Sequence, residues 1–224
     1  GPASCDGPSV DKFCLSVPWR IYSATKDQSL QICNQNACPY SVDISANGHA
    51  LYTGNCTGGY FQWCLSTPHD LSTATYCHCA NLSTVLTLPM DLHFKPDGTC
   101  LYTVDYTCNI VYGFPLSTPW DLTSTGFNFG DNVDIVGQEC LGTGISLNPD
   151  GTKMFVMGRQ NDAVQVYDLS TPWDVSTATF YRTARQINSH VPTASPQGLA
   201  FSSNGALIYN ADVGTGVSCG FIHE

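Results

Sequence analysis

Glutamate is nearly missing from this chain. Only Glu139 and Glu224 occur, and every other acid is aspartate. Glutamate favours helices and aspartate favours turns, so the imbalance argues against a helical fold. Charge of either sign is scarce: 12% of residues are charged, about half the usual share. Lys and Arg total 8 against 18 acids, for a net charge of −10. That shortage of positive charge argues against nucleic acid or an anionic membrane as a partner. No apolar run approaches the ~18 residues of a membrane-spanning segment, so no membrane insertion is expected. Paired C-x-x-C knuckles are missing as well. Cys77-His78-Cys79 is the only tight cluster, and its spacing is too short for a zinc motif.

What the chain does have is 12 cysteines among 224 residues, and 42% hydrophobic residues, enough to bury a core. An even number of scattered cysteines reads as a disulfide set, which implies a secreted or extracellular protein. All of Cys5, Cys14, Cys33, Cys38, Cys56, Cys64, Cys77, Cys79, Cys100, Cys108, Cys140 and Cys219 are assigned to it. Two glycosylation sequons, at Asn55 and Asn81, agree with that compartment. No leader is visible, and residues 1–4 read as a protease-cleavage remnant.

The chain repeats itself. Leu15-Ser16-Val17-Pro18-Trp19 recurs as Leu65-Ser66-Thr67-Pro68-His69, as Leu116-Ser117-Thr118-Pro119-Trp120 and as Leu169-Ser170-Thr171-Pro172-Trp173. Asn47-Gly48, Asp97-Gly98, Asp150-Gly151 and Asn204-Gly205 follow the same period of about fifty residues. Asn-Gly and Asp-Gly favour tight hairpins of the type I′ class. Each unit reads as four short strands of alternating β-branched and aromatic residues, broken by Gly, Pro, Asn and Asp. No segment carries a helical period.

Four strands per unit is a propeller blade. The expected fold is all-β: one domain over residues 5–224, a four-bladed β-propeller of four-stranded antiparallel blades. The blades are expected at about 40–77, 90–129, 143–182 and 197–224, the last completed by an N-terminal strand at 20–27. Fourth strands are expected at Ile21–Lys26, Thr73–Cys77, Ser124–Phe129 and Thr177–Arg182. Borrowing the first of these closes the ring and removes two open edges. Phe13-Cys14 is then a surplus third-type strand or a lead-in.

Asn148-Pro149-Asp150-Gly151-Thr152-Lys153-Met154-Phe155-Val156 and Tyr167-Asp168-Leu169-Ser170-Thr171-Pro172-Trp173-Asp174 resemble microbial β-propeller repeats. Those repeats carry SPDGTK-type turns and YDLSTPWD-type links. The resemblance covers the whole chain and implies the fold rather than a function.

First strands line the axis of a propeller. Aligned on the hairpin glycines, one position there holds Asp43, His93, Ser146 and Ala200, and Asp91 lies two residues before His93. Asp43, His93 and Ser146 have the residue types of a hydrolytic triad. Asp43, Asp91 and His93 have those of a channel site for a divalent cation. The plainer reading is a hydrogen-bonded plug of the axis. Trp19, His69, Trp120 and Trp173 recur after proline and are candidates for stacking on a ligand, or for packing each loop on its own blade.

Bridges within hairpins are expected for Cys100 with Cys108 and for Cys56 with Cys64. Cys33 and Cys38 bound a short loop, Cys77 and Cys79 need partners from elsewhere, and Cys5 can reach Cys219 to latch the ring. Connectivity is not fixed by sequence. The functional expectation is a secreted recognition or adhesion module binding a glycan or a protein through loops or the channel mouth. The alternatives are an extracellular hydrolase or lyase with its site in the channel, and a disulfide-stabilised coat or matrix protein.

Overall fold

The computed structural model describes residues 7–18, 20–124, 131–186, 196–202, 204–206, 208–213 and 218–223. Every regular element longer than one helical turn is a strand. β1 (Ser9–Leu15) and β2 (Ala24–Gln31) form a two-stranded sheet. The first complete blade is β3 (Pro39–Ile44), β4 (Ala50–Asn55), β5 (Gly59–Leu65) and β6 (Ala74–Asn81). The second is β7 (Pro89–Phe94), β8 (Cys100–Asp105), β9 (Ile110–Pro115) and β10 (Asn132–Asp134). The third is β11 (Gly142–Leu147), β12 (Lys153–Gly158), β13 (Ala163–Leu169) and β14 (Ala178–Gln186). The last sheet holds β15 (Pro196–Phe201), β16 (Ile208–Val213) and β17 (Ser218–His223). All ladders are antiparallel meanders. Among the described residues no helix is long and apolar enough to cross a membrane.

The Asn/Asp-Gly hairpins stand where the sequence puts them, with a different turn. Only the glycine has positive φ, 73° at Gly48 and 74° at Gly98, so these are not type I′ turns. The preceding side chain explains this. Asn47 Oδ1 accepts the His49 N–H at 3.0 Å and Asp97 Oδ1 accepts the Thr99 N–H at 2.9 Å. That local ring holds the Asn or Asp at negative φ and leaves the left-handed residue to glycine.

The core lies between blades. Tyr52, Tyr60, Leu92, Phe94 and Leu101 fill the space between the first and second. Tyr102, Val104, Ile145, Met154 and Tyr167 do the same between the second and third. β3, β7, β11 and β15 pack side by side in that order, and β15 also reaches β7. They surround a common axis.

The expected ring closure is not seen among the described residues, where β2 pairs with β1 and the last sheet has three strands. Residues Ile21–Ser23 form a 3-10 turn rather than the start of a borrowed strand. β1, which carries Phe13-Cys14, occupies the edge of β2 that the last blade's third strand would need. The β1–β2 pair stands instead as the outer half of a blade preceding the first. The helical turn Leu71–Thr73 docks on β2 just as Leu122–Ser124 docks on β6 and Val175–Thr177 on β10. Gln28 Oε1 accepts the Leu71 N–H at 2.8 Å, as Gln62 Oε1 accepts that of Leu122 at 3.1 Å. The inner flank of β3 is therefore open: Val42 is 55% exposed, whereas its counterparts Leu92 and Ile145 are 4% and 1%. Of the expected fourth strand Ser124–Phe129, Ser124 ends a helical turn and the rest lies outside the described residues; β10 pairs with β9 as the outer strand of this blade.

The cysteine pairings are also corrected. Cys64 bonds to Cys77, across β5 and β6, and not to Cys56. Cys56 and Cys64 lie at opposite ends of β5, whereas Cys64 stands opposite Thr75 in the ladder, close to Cys77. Cys100 and Cys108 are thiols for the same reason, one starting β8 and the other beyond its end. Cys33 is disulfide-bonded and Cys38 is a thiol, so they are not partners. Cys14, Cys79 and Cys140 are thiols. Cys5 and the side chain of Cys219 lie outside the described residues.

Candidate functional site

Inner strands place Asp43, His93 and Ser146 around one cavity of about 410 Å³ at the axis, walled by Phe155, Trp173 and Phe201. Asp91 faces a second opening of about 420 Å³, beside Tyr40, Val42 and Gly198 on the open flank of β3.

The two aspartates work as stitches between blades. Asp43 Oδ1 accepts the Ile44 N–H at 2.7 Å, and Oδ2 accepts that of Phe94 in the next blade at 3.2 Å. Asp91 Oδ1 accepts the Leu92 N–H at 2.9 Å, and Oδ2 accepts that of Ile145 at 3.0 Å. Neither strand can pair with its neighbour at the axis, so these side chains serve amides that no ladder satisfies. Burial pushes the Asp43 carboxyl up to about 6, against the pull of its two N–H donors. Burial pushes Asp91 up to about 7, opposed by donors including Ile145 and Leu92 and reinforced by the Asp43 charge. Burial alone lowers His93 to about 4, so its ring is neutral.

No hydrogen bond joins Asp43, His93 and Ser146. A triad needs its base bonded to both nucleophile and acid. Here the acid is spent on main-chain amides, and the three side chains share a cavity without forming a relay. Asp43, Asp91 and His93 do not assemble into a cation cage either: among the described residues no three His, Cys, Asp or Glu side chains come together to hold a metal.

The Pro-Trp loops have a packing role. The Trp120 ring lies so close over Gly98 that a Cβ there would come within 2.3 Å, and the Trp173 ring covers Gly151 at 2.4 Å in the same sense. His69 covers Gly48 and is the exposed member of the set. All three hold positive φ, at 58° for His69, 66° for Trp120 and 69° for Trp173. Trp173 is the one described member of this group that also reaches the axial cavity. Trp19 lies outside the described residues.

The sequons end β4 and β6 of the first blade, on either side of β5, and Asn55 and Asn81 share a pocket. Asn81 is exposed. Asn55 Oδ1 accepts N–H groups from Thr57 at 3.0 Å and Gly59 at 2.7 Å.

Sequence reasoning passed over a second set of buried acids. Asp105 accepts the N–H groups of Thr87, Leu88, Thr107 and Cys108. Glu139 accepts those of Leu141, Gln160 and Asn161. The signal was available in Glu139, an internal glutamate in a chain that otherwise avoids them.

No family model matches the chain, and no curated protein matches it. Solved structures do. A protein of unknown function from Desulfotomaculum acetoxidans aligns with a TM-score of 0.55 and 11% identity, over 96% of this chain and 62% of that one. The hydrazine synthase of Kuenenia stuttgartiensis aligns at 0.52 and 15%, over 83% and 46%. The Cps50 (Swd1) β-propeller domain of Myceliophteria thermophila aligns at 0.50 and 12%, over 78% and 50%. The fold is that of a β-propeller. The chain spans roughly half to three-fifths of the length of the structures it matches.

Proposed function

We propose that this protein is an extracellular recognition module that holds a protein or glycan ligand at the mouth of its axial cavity. The carrying observation is the state of the polar groups there. Asp43 is committed to main-chain amides, and His93 and Ser146 stand unbonded to it and to each other on a largely apolar wall that includes Phe155, Trp173 and Phe201. A concave apolar site with a few convergent polar groups suits binding, and the lack of a hydrogen-bonded relay weighs against hydrolysis. The Cys64–Cys77 bond and the richness in cysteine support an oxidising compartment.

A glycan array and titration against defined peptides test the reading. A ligand should bind the intact protein and be lost with Phe155→Ala or Trp173→Ala. Turnover of an ester or glycoside that disappears in His93→Ala would overturn it in favour of the hydrolase or lyase. Insoluble self-assembly without any ligand would favour the coat or matrix protein.

A further inference from the structure

The second and third blades share a corner, where the chain enters the first strand and leaves the second. In the second blade the Tyr106 N–H donates to the Leu88 carbonyl at 2.9 Å, and in the third the Arg159 N–H donates to that of Leu141 at 3.0 Å. Asp105 and Glu139 are completely buried at these corners and gather the surrounding amides. The first blade has no acid there. Its buried residue is Asn36, whose Oδ1 accepts one amide, that of Cys38, at 3.3 Å.

Counted from the hairpin glycines, Cys38 and Cys56 take the places of Leu88 with Tyr106 and of Leu141 with Arg159. The last rung of the β3–β4 ladder pairs Pro39 with Asn55, so the two cysteines stand just outside it and opposite each other. The neighbouring Cys38 thiol pushes that of Cys56 up. Asn36 fixes Cys38 from behind, with its amide nitrogen on Thr53 Oγ1 at 2.9 Å.

We propose that Cys38 and Cys56 form a disulfide that closes the corner of the first blade, the covalent counterpart of the carboxylate knots of Asp105 and Glu139. Its oxidant is a small disulfide such as oxidised glutathione. The Cys38 thiolate attacks one glutathione sulfur and expels a glutathione thiolate. The Cys56 thiolate then attacks the Cys38 sulfur and expels the second. Two protein thiols each give up a proton, and the glutathione disulfide takes the two electrons and leaves as two thiols. The bond secures β3, the inner strand with an open flank, at the end where no acid gathers its amides.

Peptide mapping by mass spectrometry, without reduction, on protein refolded in a glutathione buffer is the test. The expected result is a Cys38 peptide joined to a Cys56 peptide, lost on reduction. Cys38→Ala should add one alkylatable thiol, at Cys56, and leave Cys64–Cys77 intact. Finding Cys38 and Cys56 both alkylated while Cys64–Cys77 is oxidised would overturn the proposal, as would Cys38 joined to another cysteine. If Cys38→Ala does not fold, the map of the unaltered protein still decides.

Discussion

The Tyr52 hydroxyl in the first blade donates to the main-chain carbonyl of Trp120 in the second, at 2.6 Å. Tyr102 repeats the bond to Trp173 at 2.7 Å, one interface further on. The Trp120 and Trp173 loops are therefore each gripped twice, by their own hairpin glycine and by the preceding blade. Phe155 takes the same place in the third blade, where the hydroxyl is absent and the ring packs on Phe201 at 4.5 Å.

Tyr52→Phe and Tyr102→Phe should each lower stability by about 1 kcal/mol, the usual worth of a partly buried hydrogen bond. The bonds lie at different interfaces, so the double variant should show nearly the sum. Urea midpoints measure this, and a double variant no weaker than either single one would refute independent latches.

Glycine at the hairpins divides into two kinds. Gly98 has φ 74° and the Trp120 ring against it, whereas Gly205 has φ 69° and nothing within 4 Å among the described residues. Gly205→Ala should cost only the left-handed backbone penalty, about 1–2 kcal/mol. Gly98→Ala must also displace the ring and should cost about 2–4 kcal/mol. Equal losses in thermal unfolding would mean that the ring contact carries no energy.

Acid and base act in opposite directions at the axis. The Asp91 carboxyl is raised from 3.8 to about 7, so the fold holds its proton more tightly than the unfolded chain does. Its contribution is full below pH 3.8 and is lost as pH rises toward 7. His93 is lowered from 6.5 to about 4, so its contribution is full above pH 6.5 and is lost as pH falls toward 4. His93→Gln should therefore leave stability rising on acidification through this window, and Asp43→Asn/Asp91→Asn, which removes both raised carboxyls, should leave it falling. Denaturant titrations across the window check the signs, and parallel slopes in the two variants would contradict the assignment.

Removing the Cys64–Cys77 bond, which spans 13 residues between β5 and β6, should cost about 2–4 kcal/mol in a Cys64→Ala/Cys77→Ala variant. Differential scanning calorimetry reads the change, and an unchanged melting temperature would show that the β5–β6 ladder holds without it.

Much of the fold was legible because it is local. The fifty-residue period, the glycines at each hairpin and the alternation within strands report backbone geometry, which neighbouring residues set among themselves. The inner-strand set Asp43, His93 and Ser146 was legible too, since the register follows from the glycines. What those side chains bond to was not. The partners of Asp43 and Asp91 are amides about fifty residues away, on strands that never pair. Cysteine pairing failed for the same reason: proximity along a hairpin suggested Cys56 with Cys64, but the ladder put Cys77 beside Cys64.

By itself, then, the sequence determined the blade: four strands, their order and their turns, from propensities that act over a few residues. Only the tertiary structure decided how blades join. It set β1 on the edge of β2, turned the axial acids into stitches and laid the tryptophans over glycine. Those outcomes depend on which surfaces meet, and contacts between blades are made across distances along the chain that no local pattern encodes.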